Sequence, residues 1–396
     1  MTPTYRADHV GSLLRPPELL QARDDFSHQR ISQQQLKEIE DRAILAALDM
    51  QRQAGIDVLT DGEYRRHDWV GDFTSSVDGY VSAEPPIRFE WKLPEPVRAT
   101  AEGSMRAAIA EMPQQAGRVI GERLRLRHRL TEHEVPFLKE HAQGRVFKIT
   151  MPATSYVVAR GWKPGITDKV YGSRWELAED VGRIMNAEIM ALAAEGVPYI
   201  QIDNAHWPDY IPADRLEAWR SIGVDPERAM DEDVRADNLA TRGLDRSRIT
   251  LANHICRGNA RSAWHTEGGY EPIAEKVFGG LDVDRFLLEY DSDRTGGFEP
   301  LRFVPKGKQV VLGLITTKVG QLEKQDDLLR RIDEASRYVP IENLALSPQC
   351  GFASVEQGNL LTWDEQRRKL ELVADTARKV WGQVHDSPSP SGRGPG

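Results

Sequence analysis

Only two cysteines, Cys256 and Cys350, occur in 396 residues. That excludes a disulfide framework and leaves any thiol chemistry to these two positions. No apolar run approaches the ~20 residues that cross a bilayer. Lysine and arginine never cluster densely enough to track a phosphate backbone, and 52 basic against 61 acidic residues give a net charge of −9, so neither nucleic acid nor membrane is an expected partner. Met1–Arg6 lacks the basic and apolar regions of a secretory signal, which points to the cytoplasm. The remaining composition, 40% hydrophobic and 29% charged, is that of an ordinary globular chain, long enough for one large barrel or for two to three smaller domains.

Both cysteines follow short apolar stretches. Arg248-Ile249-Thr250-Leu251-Ala252 leads into Asn253-His254-Ile255-Cys256-Arg257-Gly258, and Leu344-Ala345-Leu346 leads into Ser347-Pro348-Gln349-Cys350. Such stretches read as buried parallel strands meeting their loops. Residues i and i+2 of an extended segment face the same way, so His254 and Cys256 can present an imidazole and a thiolate together. Two buried free cysteines and a hydrogen-bonded histidine are the plainer alternative.

Strand-like and helical segments alternate along the chain, the signature of βα units. Eight strands are expected near Tyr5–Val10, Ile56–Thr60, Val146–Ile149, Tyr199–Ile202, Ile249–Ala252, Phe286–Leu288, Val310–Leu314 and Leu344–Leu346. Helices are expected at Gln33–Ala54, Trp175–Glu195, Asp225–Thr241, Ile273–Phe278, Lys324–Tyr338 and Asp364–Val380, the last with Thr362 and Glu365 as a capping box. The expected fold is α/β: a TIM (β/α)8 barrel, residues 1–385, with a long insertion after strand 2 at 64–144. That insertion holds a hairpin arm, a helix at Glu132–Ala142 and the role of a lid. Residues 386–396, rich in Ser, Pro and Gly, form a disordered tail.

In a barrel of this kind the chemistry collects at the C-terminal ends of the strands. These ends carry Gly11-Ser12, Asp61-Gly62-Glu63, Thr154, Asp203-Asn204, His254 with Cys256, Glu289, Thr316-Thr317-Lys318, and Gln349-Cys350. Two thiolates and an imidazole select zinc over magnesium or calcium, and zinc takes four ligands. Glu289 is the candidate fourth ligand; a rim carboxylate paired with Arg294 is its alternative. A substrate thiol would ionise on such a metal, so alkylation of a thiol is the implied chemistry. Glu63 and Asp203 could hold an ammonium, unless Arg65 or Arg66 pairs with Glu63, and Ser12 with the Gly11 backbone could hold a carboxylate. An amino-acid thiol has both groups.

The ordered set Val10-Gly11-Ser12, Gly62-Glu63 with Asp68-Trp69-Val70, Tyr199–Asp203, His254-x-Cys256, Leu288-Glu289 and Ser347–Gly351 resembles the catalytic barrel of the cobalamin-independent methionine synthase family, above all its short, single-barrel members. The resemblance implies Zn2+ on His254, Cys256, Glu289 and Cys350, and homocysteine held by Gly11, Ser12, Glu63 and Asp203, with Asn204 beside them. It also implies methyl transfer from methyltetrahydrofolate or another donor such as methylcobalamin. The chain departs from the larger members in three places. Asn204-Ala205 follows Asp203 where they have Glu-Pro. Thr316 and Lys318 stand in the seventh-strand segment, where they carry an aspartate and a histidine associated with proton delivery. A pterin-stacking tryptophan is replaced near Val158. Asp203 and Lys318 are therefore the candidate catalytic residues. The alternative activity is a zinc-dependent alkyl transferase or carbon–sulfur lyase acting on a different thiol. Association between copies of the chain is left open by the sequence.

Overall fold

Runs that are apolar on both faces can only be satisfied by burial on both sides, and here they build one curled sheet. A computed structural model of the protein describes residues 5–85, 90–95, 97 and 117–382. In chain order its strands are β1 (Val58–Leu59), β2 (Val77–Ser82), β3 (Arg118–Leu126), β4 (Val146–Pro152), β5 (Tyr199–Asn204), β6 (Thr250–Ile255), β7 (Arg285–Glu289), β8 (Gln309–Ile315) and β9 (Leu344–Pro348). Seven of them form a parallel sheet in the order β1-β4-β5-β6-β7-β8-β9. All six residues of β6 and all seven of β8 are buried.

Tyr5–Val10, expected as the first strand, is not a full strand; it makes one parallel bridge, Ala7 to Leu346. The reason is local: the Arg6 and Ala7 amides donate to the Asp57 carboxylate at 2.7 and 2.9 Å, and a side chain thereby replaces a strand as their partner. The segment still joins both edges of the sheet. Leu346 N donates to Arg6 O and Asp8 N to Leu346 O on the β9 side, and Asp57 N donates to Ala7 O on the β1 side, each at 2.9 Å. Tyr5, Val10, Val58, Tyr199, Ala252, Leu287, Val311 and Ala345 pack together as an inner layer.

The outer core lies between the sheet and its helices. Gln33–Ala54 is helical as expected, with Ser32 and Gln35 closing a capping box and Gly55 ending it in the left-handed region at φ +82°. Asp225 caps Pro226–Ala240, and Thr362 with Glu365 caps Trp363–Trp381. Helices at Pro17–Ser27, Gly71–Ser76, Thr154–Gly161 and Ala213–Ser221 were not anticipated. Between β1 and β4 the chain forms the antiparallel pair β2–β3 and the helix Val135–His141. Residues 86–89, 96 and 98–116 of the expected arm, and the expected tail at 386–396, lie outside the described residues. No described helix is long and apolar enough to cross a membrane.

Candidate metal centre and substrate cradle

Strand alternation carries His254 to the end of β6 facing the top of the sheet, and Cys256 follows two residues later on the same side. Glu289 closes β7, and Cys350 follows β9 by two residues. One ligand atom from each of His254, Cys256, Glu289 and Cys350 lies within 4.8 Å of the others. The two sulfurs are 3.5 Å apart. Cys350, His254 and Glu289 are buried, at 3%, 2% and 0% exposure, while Cys256 is partly exposed. His254 Nδ1 sits 3.1 Å from Leu287 O, which orients the ring, and its Nε2 is a buried nitrogen with no hydrogen-bond partner. An orphaned imidazole nitrogen facing two sulfurs and a carboxylate fits a tetrahedral, thiophilic cation such as zinc, the ring being held from behind as metal-bound histidines usually are.

Charge polarises the four groups. The hydrogen bond from Cys256 holds the Cys350 thiol well below its ordinary range, and His254 adds to this. The same Cys350 contact, with burial, pushes Cys256 up. Burial alone would depress His254, but Cys350, Asp203 and Glu289 outweigh it and raise the imidazole to about 9. Glu289 makes the arginine pairing that the sequence offered as its alternative: Oε1 accepts from Arg257 N at 2.7 Å, and Oε2 pairs with Arg294 at 2.9 Å. Burial works against ionised Glu289, and Arg294, Lys318 and His254 more than offset it. Lys318 is buried nearby, and its three N–H bonds go to Asn259 Oδ1 (2.6 Å), Ala263 O (3.1 Å) and Gly258 O (3.3 Å), pinning the loop after β6.

The cradle residues adjoin this centre. Asp203 is in register with His254 across β5 and β6. Its carboxylate is pushed up to about 7, by burial first and by Glu63 among the charges. Glu63 holds a left-handed backbone at φ +60°, a strained conformation of the kind that clusters at functional sites. Its Oε1 accepts from Thr150 Oγ1 at 3.0 Å and its buried Oε2 has no partner. Neither alternative arginine takes it: Arg65 pairs with Asp41, and Arg66 with Asp72 (2.5 Å) and Glu134 (2.6 Å). Gly11, at φ +149°, lets the chain pass where a Cβ would come within 2.9 Å of Thr150 Cγ2 and 3.0 Å of Glu63 Oε1. Ser12 lies against the Cys350 loop, receiving Ala353 N on Oγ and Phe352 N on its carbonyl.

Asn204 is not brought to these residues. It faces the other side of β5, its amide donating to Ser155 Oγ and Asp237 and its oxygen receiving His206 N and Trp207 N. His206 is fully buried between Asp209 (3.1 Å) and Asp233 (2.9 Å). Asp72, His133 and Glu134 form a second grouping of ligand-type residues, but the Arg66 guanidinium already sits on both carboxylates and takes the place of a cation. Thr150, Gln201 and Asn259 support the site and are not among the sequence-predicted residues; Lys148, Thr150, Gln201 and Asp203 are visible in the sequence as polar residues at alternate positions of buried strands.

Known proteins resemble the chain in sequence and in fold. Residues 5–89 and 166–379 match the family model described as the cobalamin-independent synthase catalytic domain. The Bacillus subtilis protein YxjH, of uncharacterised function, is 39% identical over 95% of each chain. A Listeria monocytogenes structure described as a vitamin-B12-independent methionine synthase superposes with a TM-score of 0.69 at 28% identity, covering 97% of this chain and 99% of that one. A B12-independent methionine synthase from Shewanella sp. W3-18-1, in complex with selenomethionine, shares the fold with a TM-score of 0.67 at 18% identity, covering 95% and 98%. The chain belongs to the cobalamin-independent synthase catalytic-domain family.

Proposed function

We propose that the protein is a zinc-dependent S-methyltransferase that methylates a small thiol, homocysteine being the best fit, to give methionine. The observation that carries this reading is the convergence of two sulfurs, one unpartnered imidazole nitrogen and one carboxylate within 4.8 Å, directly beside two further buried carboxylates. His254, Cys256, Glu289 and Cys350 would hold Zn2+. Zinc bound there would keep an incoming thiol ionised at neutral pH, as the nucleophile for a methyl group. Glu63 and Asp203 bind the ammonium of the amino-acid end, and the Ser12 hydroxyl with the Gly11–Ser12 backbone binds its carboxylate. Asp203, titrating near neutrality, can hold or give up a proton at that end of the site. Lys318 acts through its charge, offsetting the two thiolates and Glu289 while it holds the loop at 258–263 in place.

The methyl donor is methyltetrahydrofolate or another activated methyl compound such as methylcobalamin. Because all three Lys318 N–H bonds are engaged within the protein, a donor whose leaving group departs without taking a proton fits this chain better than one that must be protonated. Residues 1–385 act as one cytoplasmic barrel domain, and the described residues 90–95 serve as part of an arm over its mouth. Supporting this, Lys92 and Trp264 exchange backbone hydrogen bonds of 2.7 and 2.9 Å, so residues 90–95 lie on the loop that follows Cys256. The test is to supply zinc-loaded protein with homocysteine and each donor in turn and to assay methionine. Formation with at least one donor is expected; zinc retention with no methionine from any donor would replace this reading with an alkyl transferase or carbon–sulfur lyase acting on another thiol.

A further inference from the structure

Beneath Asp203 the interior of the sheet holds a chain of buried polar groups that reaches the opposite end of the strands. Arg285 Nη1 pairs with Asp8 Oδ2 at 3.3 Å, and Tyr199 OH donates to the same oxygen at 2.9 Å. Lys148 donates to Asp8 Oδ1 at 2.8 Å, to His9 O, and to Gln201 Oε1 at 2.7 Å. Gln201 Nε2 then donates to Val10 O at 2.6 Å and to Asp203 Oδ1 at 2.7 Å. Asp8, Lys148, Gln201 and Arg285 are at most 1% exposed.

The direction of every bond in this chain is determined. An ammonium has three donors and no acceptor, so the Gln201 atom facing Lys148 must be the amide oxygen. The amide nitrogen must then face Val10 O and Asp203, both of which can accept. Flipping the amide would set NH2 against NH3+ and an oxygen against two oxygens, a cost that burial makes large. Asp203 is therefore obliged to receive on Oδ1, and its other oxygen is the one left for a ligand.

We infer that Gln201, oriented by Lys148, is a positioning residue that turns one Asp203 oxygen toward the amino group of the substrate and so makes the site select thiols that carry an amine. This deepens the thiol methyltransferase reading and rests on it. Neither residue touches the substrate. Each acts through Asp203.

The test compares zinc-loaded wild type and Gln201→Glu for binding of two ligands by calorimetry: homocysteine, and 4-mercaptobutanoate, which is the same molecule without its amine. Gln201→Glu preserves shape and the contact with Lys148, yet replaces the donor to Asp203 by an acceptor. The wild-type preference for homocysteine over 4-mercaptobutanoate should shrink about ten- to a hundredfold, the worth of one charged hydrogen bond, while 4-mercaptobutanoate binds about as before. Lys148→Met, which frees the amide to turn, should shrink the preference in the same direction, and it serves if the first variant fails to fold. A preference unchanged in the folded variant, or an equal loss for both ligands, overturns the inference and leaves the thiol reading standing. Wild-type protein that binds neither thiol overturns both.

Discussion

Arg294→Met separates the arginine pairing of Glu289 from the zinc ligation proposed for it. Among the described residues Arg294 is the only cation paired with that carboxylate within 4 Å, at 2.9 Å, and both side chains are buried, at 7% and 0% exposure. Removing one partner of a buried pair typically costs about 3–5 kcal/mol, because the other charge is left in a poor solvent. Here Arg257 N still donates to Oε1 at 2.7 Å and Lys318 lends its field, so about 2–4 kcal/mol is expected in metal-free protein. If Glu289 is also a zinc ligand, the metal supplies the missing positive charge and the loss nearly vanishes when zinc is bound. The difference between the two states must then reappear as tighter zinc binding, since a ligand that stabilises only one state shifts the folding equilibrium by its own binding energy. At about 1.4 kcal/mol per decade, that is roughly thirty- to several-hundredfold. Urea unfolding with chelator and with zinc, together with competition against a chromophoric chelator, reads both numbers. An equal loss of stability with and without zinc, at unchanged zinc affinity, would refute the reasoning and leave Glu289 as a carboxylate that merely pairs with an arginine.

Two further outcomes follow from the charges. His206, buried between Asp209 and Asp233, loses to burial but gains more from these two carboxylates, so its pKa is raised above the ordinary 6.5. The stability it contributes is full below pH 6.5 and is lost as pH rises through the raised value. His206→Gln should cost about 3 kcal/mol at pH 6 and progressively less at alkaline pH, measured by urea unfolding; a cost independent of pH up to 10 would contradict a charged His206. Asp203, raised to about 7 chiefly by burial, is ionised only above that pH, so its share of amine recognition should grow as pH rises through 7. Asp203→Asn should weaken homocysteine binding about ten- to a hundredfold at pH 8 and far less at pH 6, and an equal effect at both would count against an ammonium contact.

Much of the site could be read from residue types and spacing. His254-x-Cys256 on one face of an extended segment, Cys350 at another strand end and Glu289 between them needed only strand alternation and the softness of sulfur to be grouped. The same alternation would have set Asn204 aside, since it follows Asp203 and must face the other way; proximity in sequence was mistaken for proximity in space. Tyr5–Val10 has the composition of a strand, but Asp57, a residue far along the chain, takes the Arg6 and Ala7 amides, and no local pattern reports such a partner. The Arg294 contact with Glu289 was weighed as an alternative to metal ligation, whereas a carboxylate has two oxygens and buried ones commonly need several partners. Gln201 and Lys148 were passed over because a polar residue inside an apolar strand looks like an interruption until the strands are set side by side.

The central claim is that two cysteines, a histidine and a glutamate hold a zinc ion that receives the sulfur of the substrate. X-ray absorption at the zinc edge tests it most directly, by counting sulfur neighbours in zinc-loaded protein before and after homocysteine is added. Two sulfurs rising to three is the predicted result, with Cys256→Ser and Cys350→Ser each one sulfur short or unable to keep the metal. A sulfur count unchanged by homocysteine, or stoichiometric zinc retained with a full wild-type signal in both serine variants, would contradict it.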